Sequence, residues 1–549
     1  MSVADTPAGA PSAGSPTRLP RWGPRSAAAA LGTPAGERHV NPWIITISVM
    51  LATFMEVLDT TIVNVSLPHM AGNLSATIEE STWVLTSYLV ANAIILPLTG
   101  WLASQFGRKR LLMLSVGGFT ASSFLCGLAP NLGTLVFFRI VQGATGGAMQ
   151  PMSQAVLLEA FPPHERGKAM GFWGLGIVVA PILGPVLGGW LTDSYSWRWV
   201  FYINIPVGML SLFMIERFIF DPSYLRRASA RIDYWGIGML AVGIGALQLV
   251  LDLGRQRDWF ESNMITTVSF IAVVMLIVFI FYEWHVEHPA VDLHIFKIRT
   301  YSTGVFLMTS LGFVLYGSLV LLPIMLQTLF GYPSLQAGIA MAPRGMGSLI
   351  GMPVVGNLVA RLDPRKMVAG GLLLGATTLF WLGQLNLNAG YWDIFWPQFL
   401  QGMGLSLIFV PLTTISMAPV ARERMGYATS LYNLMRNLGG SIGIATTGTL
   451  LFHNQQGNTA LLGSHITVYD LSTQTALARA RAGFMAGGAY SVSAARRAHA
   501  ALFGMVQRQA SMVAFIGLFR LLAIIFLLML PLLFLMKRPQ TQGETATAP

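Results

Sequence analysis

Charge is what this sequence has least of. Only 10% of its 549 residues are Asp, Glu, Lys or Arg, whereas soluble domains carry about 25%, so an ordinary soluble enzyme is excluded. Cysteine is nearly absent. The single Cys126 lies in an apolar segment, so no intrachain disulfide framework exists and stability must come from helix packing. No Gly-x-x-x-x-Gly-Lys-Ser/Thr sequence occurs, which argues against ATP as the energy source. His285, Glu287, His288 and His294 crowd one loop, but their spacing matches no closed zinc pattern, and a solvated loop accounts for them. With no nucleophile–base or metal constellation in view, neither an enzyme activity nor a resident cofactor or metal is expected. Ten-residue segments of alternating polarity, which a membrane barrel needs, are missing too.

What is there is apolar. Hydrophobic residues make up 54% of the chain, and runs of about 20 recur, each able to cross a hydrocarbon layer about 30 Å thick as a helix. Fourteen such windows are expected: 43–67, 83–103, 111–129, 133–160, 168–191, 198–220, 234–252, 264–283, 303–329, 336–360, 367–385, 392–418, 428–451 and 512–536. The predicted class is an all-α integral membrane protein. The first 42 residues hold seven prolines and Arg18, Arg21, Arg25 and Arg38. No signal-peptide core is present there, since Ala27–Leu31 is too short, so 1–42 reads as a disordered basic tail in the cytoplasm.

Lysine and arginine set the orientation. Placing both tails and alternate loops in the cytoplasm collects twenty-two of them, including Arg108–Arg110, Arg166, Lys168, Arg226, Arg227, Arg231, Arg365, Lys366, Lys537 and Arg538. The opposite short loops hold only Arg198, Arg255 and Arg257. The net charge of +11 is therefore a positive-inside signal, and no nucleic-acid partner is expected. Loop 452–511 is long, with helix-compatible stretches at Thr473–Ala482 and Ala494–Gln509, and is expected to extend the last two helices beyond the membrane.

An internal repeat follows. Phe138-Arg139-Ile140-Val141-Gln142-Gly143 leads to Glu165-Arg166-Gly167, and Pro397-Gln398-Phe399-Leu400-Gln401-Gly402 leads to Glu423-Arg424-Met425-Gly426. Gly100 with Arg108-Lys109 is echoed by Gly356 with Arg365-Lys366. Offsets near 256–259 residues give six helices (43–220), an insertion carrying two (221–302), six more (303–536) and a short tail (537–549). Parallel halves related by an axis along the membrane normal describe the major facilitator architecture.

Ionisable residues inside spans are functional candidates by default. They are Glu56, Asp59, Arg139, Arg344, Arg436 and Arg520. Glu56 and Asp59 share one face of the first span at i, i+3. Two acids close together in low dielectric cannot both ionise cheaply, so one of them can hold a proton and hand it across. Arg139 is the matching cation, at a place where the second half has Gln398; a satisfied buried ion pair would look the same. Gly176, Ala180, Gly184 and Gly188 form a small-residue ladder interrupted by Pro181 and Pro185, suited to close helix approach or to a bend. Gly439 and Gly443 take a similar place in the second half. Arg108-Lys109-Arg110 fits a charged anchor as well as a functional turn. Phe54, Tyr88, Trp173 and Phe313 are candidate contacts for an apolar small molecule, or simply packing.

These residues resemble a known family. Leu58-Asp59-Thr60-Thr61-Ile62-Val63-Asn64-Val65-Ser66-Leu67-Pro68 is similar to the first-helix signature of the fourteen-helix drug:proton antiporter branch of the major facilitator superfamily, in particular of EmrB-type multidrug exporters. Phe138-Arg139 through Gln142-Gly143 resembles its proton-coupling motif, and Ala180-Pro181-Ile182-Leu183-Gly184-Pro185-Val186-Leu187-Gly188-Gly189 its antiporter motif. Trp197-Arg198-Trp199 to Asn204-Ile205-Pro206-Val207-Gly208 matches a further stretch. The resemblance covers roughly residues 42–538. It implies a 14-helix (6 + 2 + 6) fold, protonation of Asp59 during exchange, export of drugs or other lipophilic molecules, and a bacterial inner-membrane location with both termini cytoplasmic. It also implies an EmrA-type periplasmic adaptor and an outer-membrane channel. An exporter dedicated to one metabolite, fatty acid or antibiotic is the alternative, and a non-transporting scaffold or sensor a remote one. Two departures stand out. The loop motif, usually Gly-x-x-x-Asp-Arg-x-Gly-Arg-Lys, here runs from Gly100 through Ser104 to Gly107-Arg108-Lys109, without the gating acid. Glu56 is not part of the pattern.

Overall fold

The computed structural model describes residues 41–221, 233–287, 289–467 and 469–536. Residues 1–40 of the expected tail, Arg226, Arg227, Arg231, His288 and the segment 537–549 with Lys537 and Arg538 lie outside the described residues. Every one of the fourteen windows falls on helix, and among the described residues there is no strand.

The first bundle is α1 (Pro42–Asn73), α2 (Trp83–Phe106), α3 (Arg108–Leu128), α4 (Leu132–Gly146) continued as α5 (Met149–Ala160), α6 (Arg166–Ser194) and α7 (Asn204–Phe218). Two helices follow, α8 (Tyr234–Leu253) and α9 (Asn263–His285). The second bundle is α10 (Arg299–Thr328), α11 (Ser334–Leu358), α12 (Pro364–Leu382), α13 (Tyr391–Met417), α14 (Met425–Ser464) and α16 (Ser491–Met529), with α15 (Leu471–Ala486) between the last two. The long loop is therefore helical, as its composition predicts. At 1.5 Å per residue, the 40 residues of α14 span about 60 Å, twice the hydrocarbon thickness.

Among the described residues, nine helices are long and apolar enough to cross a bilayer alone, ten if α6, bent by 40° between Pro181 and Leu183, counts as one span. The windows that fall short carry their polar residues inside the protein. Arg139, Gln142, Gln150 and Gln154 on α4 and α5, Arg344 on α11, and Asn433 and Arg436 on α14 are all buried. α12 opens on Arg365 and Lys366.

Local chemistry sets the helix ends. The Asn131 side chain accepts from Thr134 N–H at 2.9 Å and caps α4, and Asp363 caps α12 ahead of Pro364 in its first turn. α2 and α3 are joined by Gly107 alone, at φ +83°, a conformation open chiefly to glycine. Within the bundles α6 packs along α1, α13 along α11 and α12, and α14 along α10. The bundles meet where α6 faces α11 and where α14 faces α2 and α5. α8 lies against α2 and α14, while α9 packs mainly on α8 and exposes Phe270, Val273, Ile277 and Phe281, as a lipid-facing helix would.

Candidate functional site

The middle of α1 carries polar side chains that would be costly in lipid, and each has a partner. Thr53, Thr60 and Thr61 donate back to carbonyls three or four residues earlier. Asp59, fully buried, has no such local option and is met from α4 and α7 instead. Arg139 Nη1 donates to Asp59 Oδ2 at 2.6 Å. Gln142 Nε2 and Asn204 Nδ2 donate to Oδ1 at 3.1 and 2.8 Å. The carboxylate thus receives three donors from two helices, a charge-assisted arrangement.

Arg139 has further partners, although its buried Nη2 has none. Its Nε donates to the Val84 carbonyl at 2.9 Å and its Nη1 to Gln142 Oε1 at 2.8 Å, while the guanidinium lies 4.1 Å from the Tyr88 ring centre and 5.8 Å from that of Phe201. Such stacking on a desolvated cation is attractive. Arg139 therefore keeps partners of its own if Asp59 is neutralised. That is the property a proton-accepting acid needs from its counter-ion: one proton on Asp59 cancels the ion pair without leaving the arginine wholly unbound. The arrangement brings together Asp59, Arg139 and Gln142, as the sequence suggests, and places Tyr88 against them.

Glu56 sits one turn away with different partners. Its Oε1 accepts from Asn92 Nδ2 at 2.9 Å. Beside it the bundles are tied together at two amide oxygens: Asn433 Nδ2 donates to Gln154 Oε1 at 2.5 Å and the Arg436 guanidinium donates to Gln150 Oε1. Asn92, Gln150, Gln154, Asn204 and Asn433 escape a search for ionisable residues. Their signal is weaker, an amide inside an apolar window.

The small-residue ladder of α6 faces α1. A side chain at Gly184 would collide with Thr61, and one at Gly188 would lie 2.7 Å from the Ile62 carbonyl. Ala180 is buried against Val57 and Leu58. Gly189, by contrast, has nothing nearer than 4.0 Å. Pro181 and Pro185 lie inside the same helix. The ladder thus seats the helix that bears both acids.

In the loop motif, Gly100 packs against the Tyr427 backbone of α14. Arg108 is buried in an ion pair with Glu159. Lys109 N–H donates to Asp221 Oδ1 at 2.8 Å and its ammonium to the Glu216 carbonyl at 2.5 Å. Ser104 donates to the Trp101 carbonyl. Trp173 is fully buried at the seam, stacked on Phe409 with centres 6.2 Å apart and donating to Thr53. Phe54 and Phe313 are half-buried packing residues. Arg520 is exposed and donates to the Gly383 carbonyl at the end of α12.

The Major Facilitator Superfamily profile matches residues 49–444. The multidrug export protein EmrB of Haemophilus influenzae is 41% identical over 434 residues, 79% of this chain and 85% of that protein. EmrB of Escherichia coli is 40% identical, over 78% and 84%. The fatty acid resistance protein FarB of Neisseria gonorrhoeae is 38% identical over 503 residues, 91% and 97%. Among solved structures, the human organic anion transporter TETRAN superposes with a TM-score of 0.54 at 14% identity, covering 89% of this chain and 100% of that one. The proton:xylose symporter XylE gives 0.54 at 17%, covering 76% and 90%; both likenesses concern the fold.

Proposed function

The chain belongs to the Major Facilitator Superfamily, and from that premise we propose that it is a proton-coupled exporter of drugs or other lipophilic molecules, working by alternating access. The observation that carries this reading is the fully buried Asp59–Arg139 pair with its neutral supports Gln142 and Asn204. In each cycle the two bundles rock about their seam. Asp59 takes a proton on one side, which weakens its hold on Arg139, and gives it up on the other as substrate leaves. A membrane potential of 100 mV supplies about 2.3 kcal/mol per charge moved, so the gradient alone drives the cycle without a bound cofactor or a catalysed reaction.

The chain reads as a bacterial inner-membrane protein with halves 43–220 and 303–536, inserted helices in 221–302 and both termini cytoplasmic. Similarity to EmrB supports a tripartite assembly, in which the helices that continue past the bilayer in α14, α15 and α16 meet an EmrA-type adaptor leading to an outer-membrane channel. A second reading, export of fatty acids, is favoured by the alignment covering 97% of FarB. The deciding experiment compares wild type and Asp59→Asn in proteoliposomes, with an imposed proton gradient and a panel of lipophilic dyes. Gradient-driven uptake by wild type and not by Asp59→Asn is expected. Full uptake by the variant removes Asp59 from the coupling.

A further inference from the structure

The second bundle holds a counterpart of the Asp59 site from which the acid is missing. The equivalence is fixed by backbone approach. A side chain on Gly143 of α4 would strike the Tyr88 carbonyl of α2, and one on Gly402 of α13 would strike the Arg344 carbonyl of α11. Arg344 thus stands where the first bundle has Tyr88, and Gln398 and Gln401 stand where it has Arg139 and Gln142. The cation has moved from one helix of the pair to the other.

What faces that cation differs. Arg344 is 5% exposed, and its hydrogen bond runs from Nη1 to the Ser318 hydroxyl at 3.3 Å. Among the described residues no carboxylate forms an ion pair with it. From residue 299 to 536 no described Asp or Glu is buried, whereas Arg344 and Arg436 both are. Arg344 lines a cavity of about 10 Å³ together with Leu311, Val314, Leu315, Gln401 and Phe526. On α10 the cavity therefore meets leucine and valine where α1 presents Asp59. Gln401, which also lines the cavity, accepts from Gln398 at 3.2 Å through its oxygen, so its NH₂ is not spent on that bond.

A guanidinium in a dry site without a counter-ion is costly unless something pairs with it. Gln150 offers its oxygen to Arg436; Arg344 has one hydroxyl at long range. The geometry assigns Arg344, with Gln401, as an anion-recognition site whose negative charge is brought by the transported molecule: a single carboxylate on an apolar body. The cavity is about the size of one water, room for one head-group oxygen; the chain attached to it enters when the bundles rock apart around the apolar lining. The planar fork of donors suits a carboxylate, and a cationic drug is repelled. This rests on the exporter reading, which it deepens by naming the substrate class.

The test is equilibrium binding to the full-length protein in nanodiscs, without any proton gradient, using three twelve-carbon amphiphiles: laurate, methyl laurate and dodecyltrimethylammonium. Wild type is expected to bind laurate roughly tenfold to a hundredfold more tightly than methyl laurate, the range for a hydrogen bond to a charged group, and the ammonium no better than the ester. Arg344→Gln is expected to lose that preference, with its melting temperature in nanodiscs as the check on folding, and Arg344→Lys to keep part of it. A wild type that shows no preference for laurate overturns the assignment, as does a full preference retained in Arg344→Gln. Because no gradient is applied, failure here leaves proton-coupled export standing, and failure of the Asp59→Asn transport experiment leaves this binding result standing.

Discussion

Asn433 Nδ2 donates to Gln154 Oε1 at 2.5 Å and so joins α14 of the second bundle to α5 of the first. Both side chains are buried, and Arg436 and Gln150 repeat the contact one turn away on each helix. In the proposed cycle rocking of the bundles breaks these bonds; neither is an ion pair, so water can replace the partner at modest cost.

Locking that contact is expected to stop transport. With Cys126→Ala as background, Gln154→Cys and Asn433→Cys joined by a short cleavable thiol cross-linker should give a protein that moves no substrate, and reduction should restore it. Uptake that continues at full rate in the cross-linked protein would show that α5 and α14 stay together throughout the cycle.

The Asp59–Arg139 pair predicts a specific non-additivity. Removing one partner of a buried ion pair costs about 3–5 kcal/mol because the other is left uncompensated. Asp59→Asn and Arg139→Gln should each destabilise the protein, and the double variant should be more stable than the sum implies, by ~0.5–3 kcal/mol, as for residues in one network. Unfolding in mixed micelles measures this. Strict additivity would mean that Gln142, Asn204 and the Val84 carbonyl hold the two groups independently.

Two neighbouring glycines of the antiporter motif separate packing from mere resemblance. Gly188→Ala places a methyl 2.7 Å from the Ile62 carbonyl, while Gly189→Ala meets nothing nearer than 4.0 Å. Overpacking of a helix contact costs roughly 1–3 kcal/mol, so the first should lower the melting temperature and transport, and the second neither. Equal behaviour of the two would detach the motif from the seating of α1.

The windows, the repeat and the charged residues of the site were legible because each rests on a strong local signal: an apolar run, a fixed offset, a charge where charge is costly. Asn204 and Asn92 were not, since an amide in an apolar stretch looks the same whether it faces Asp59 or an adjacent carbonyl. The helical character of loop 452–511 was visible in the alanine-rich composition of Thr473–Ala482, but the extent of its helices follows from tertiary support. Arg344 stood out as a buried charge. What the sequence could not convey is that its neighbours across α10 are Leu311 and Val314, because facing residues on different helices have no common spacing.

Arg108 and Arg110 occupy the same turn and would be equivalent if their task were only to mark the cytoplasmic side. They are not equivalent in the fold: Arg108 is 3% exposed and ion-paired with Glu159 across from α3 to α5, whereas Arg110 is exposed. Arg108→Ala leaves Glu159 buried with its principal cation gone, so it should lower stability by ~3–5 kcal/mol, and Glu159→Ala should do the same. Arg110→Ala, a surface change, should stay within roughly 0.5 kcal/mol. Melting temperature and transport rate in the three variants decide it. If Arg108→Ala and Arg110→Ala behave alike, the turn works only through its net charge. If Arg108→Ala and Glu159→Ala fail together while Arg110→Ala does not, the loop motif is a clasp between α3 and α5, which lies next to the amides that bind the two bundles, and it keeps that role without the acid that Ser104 replaces.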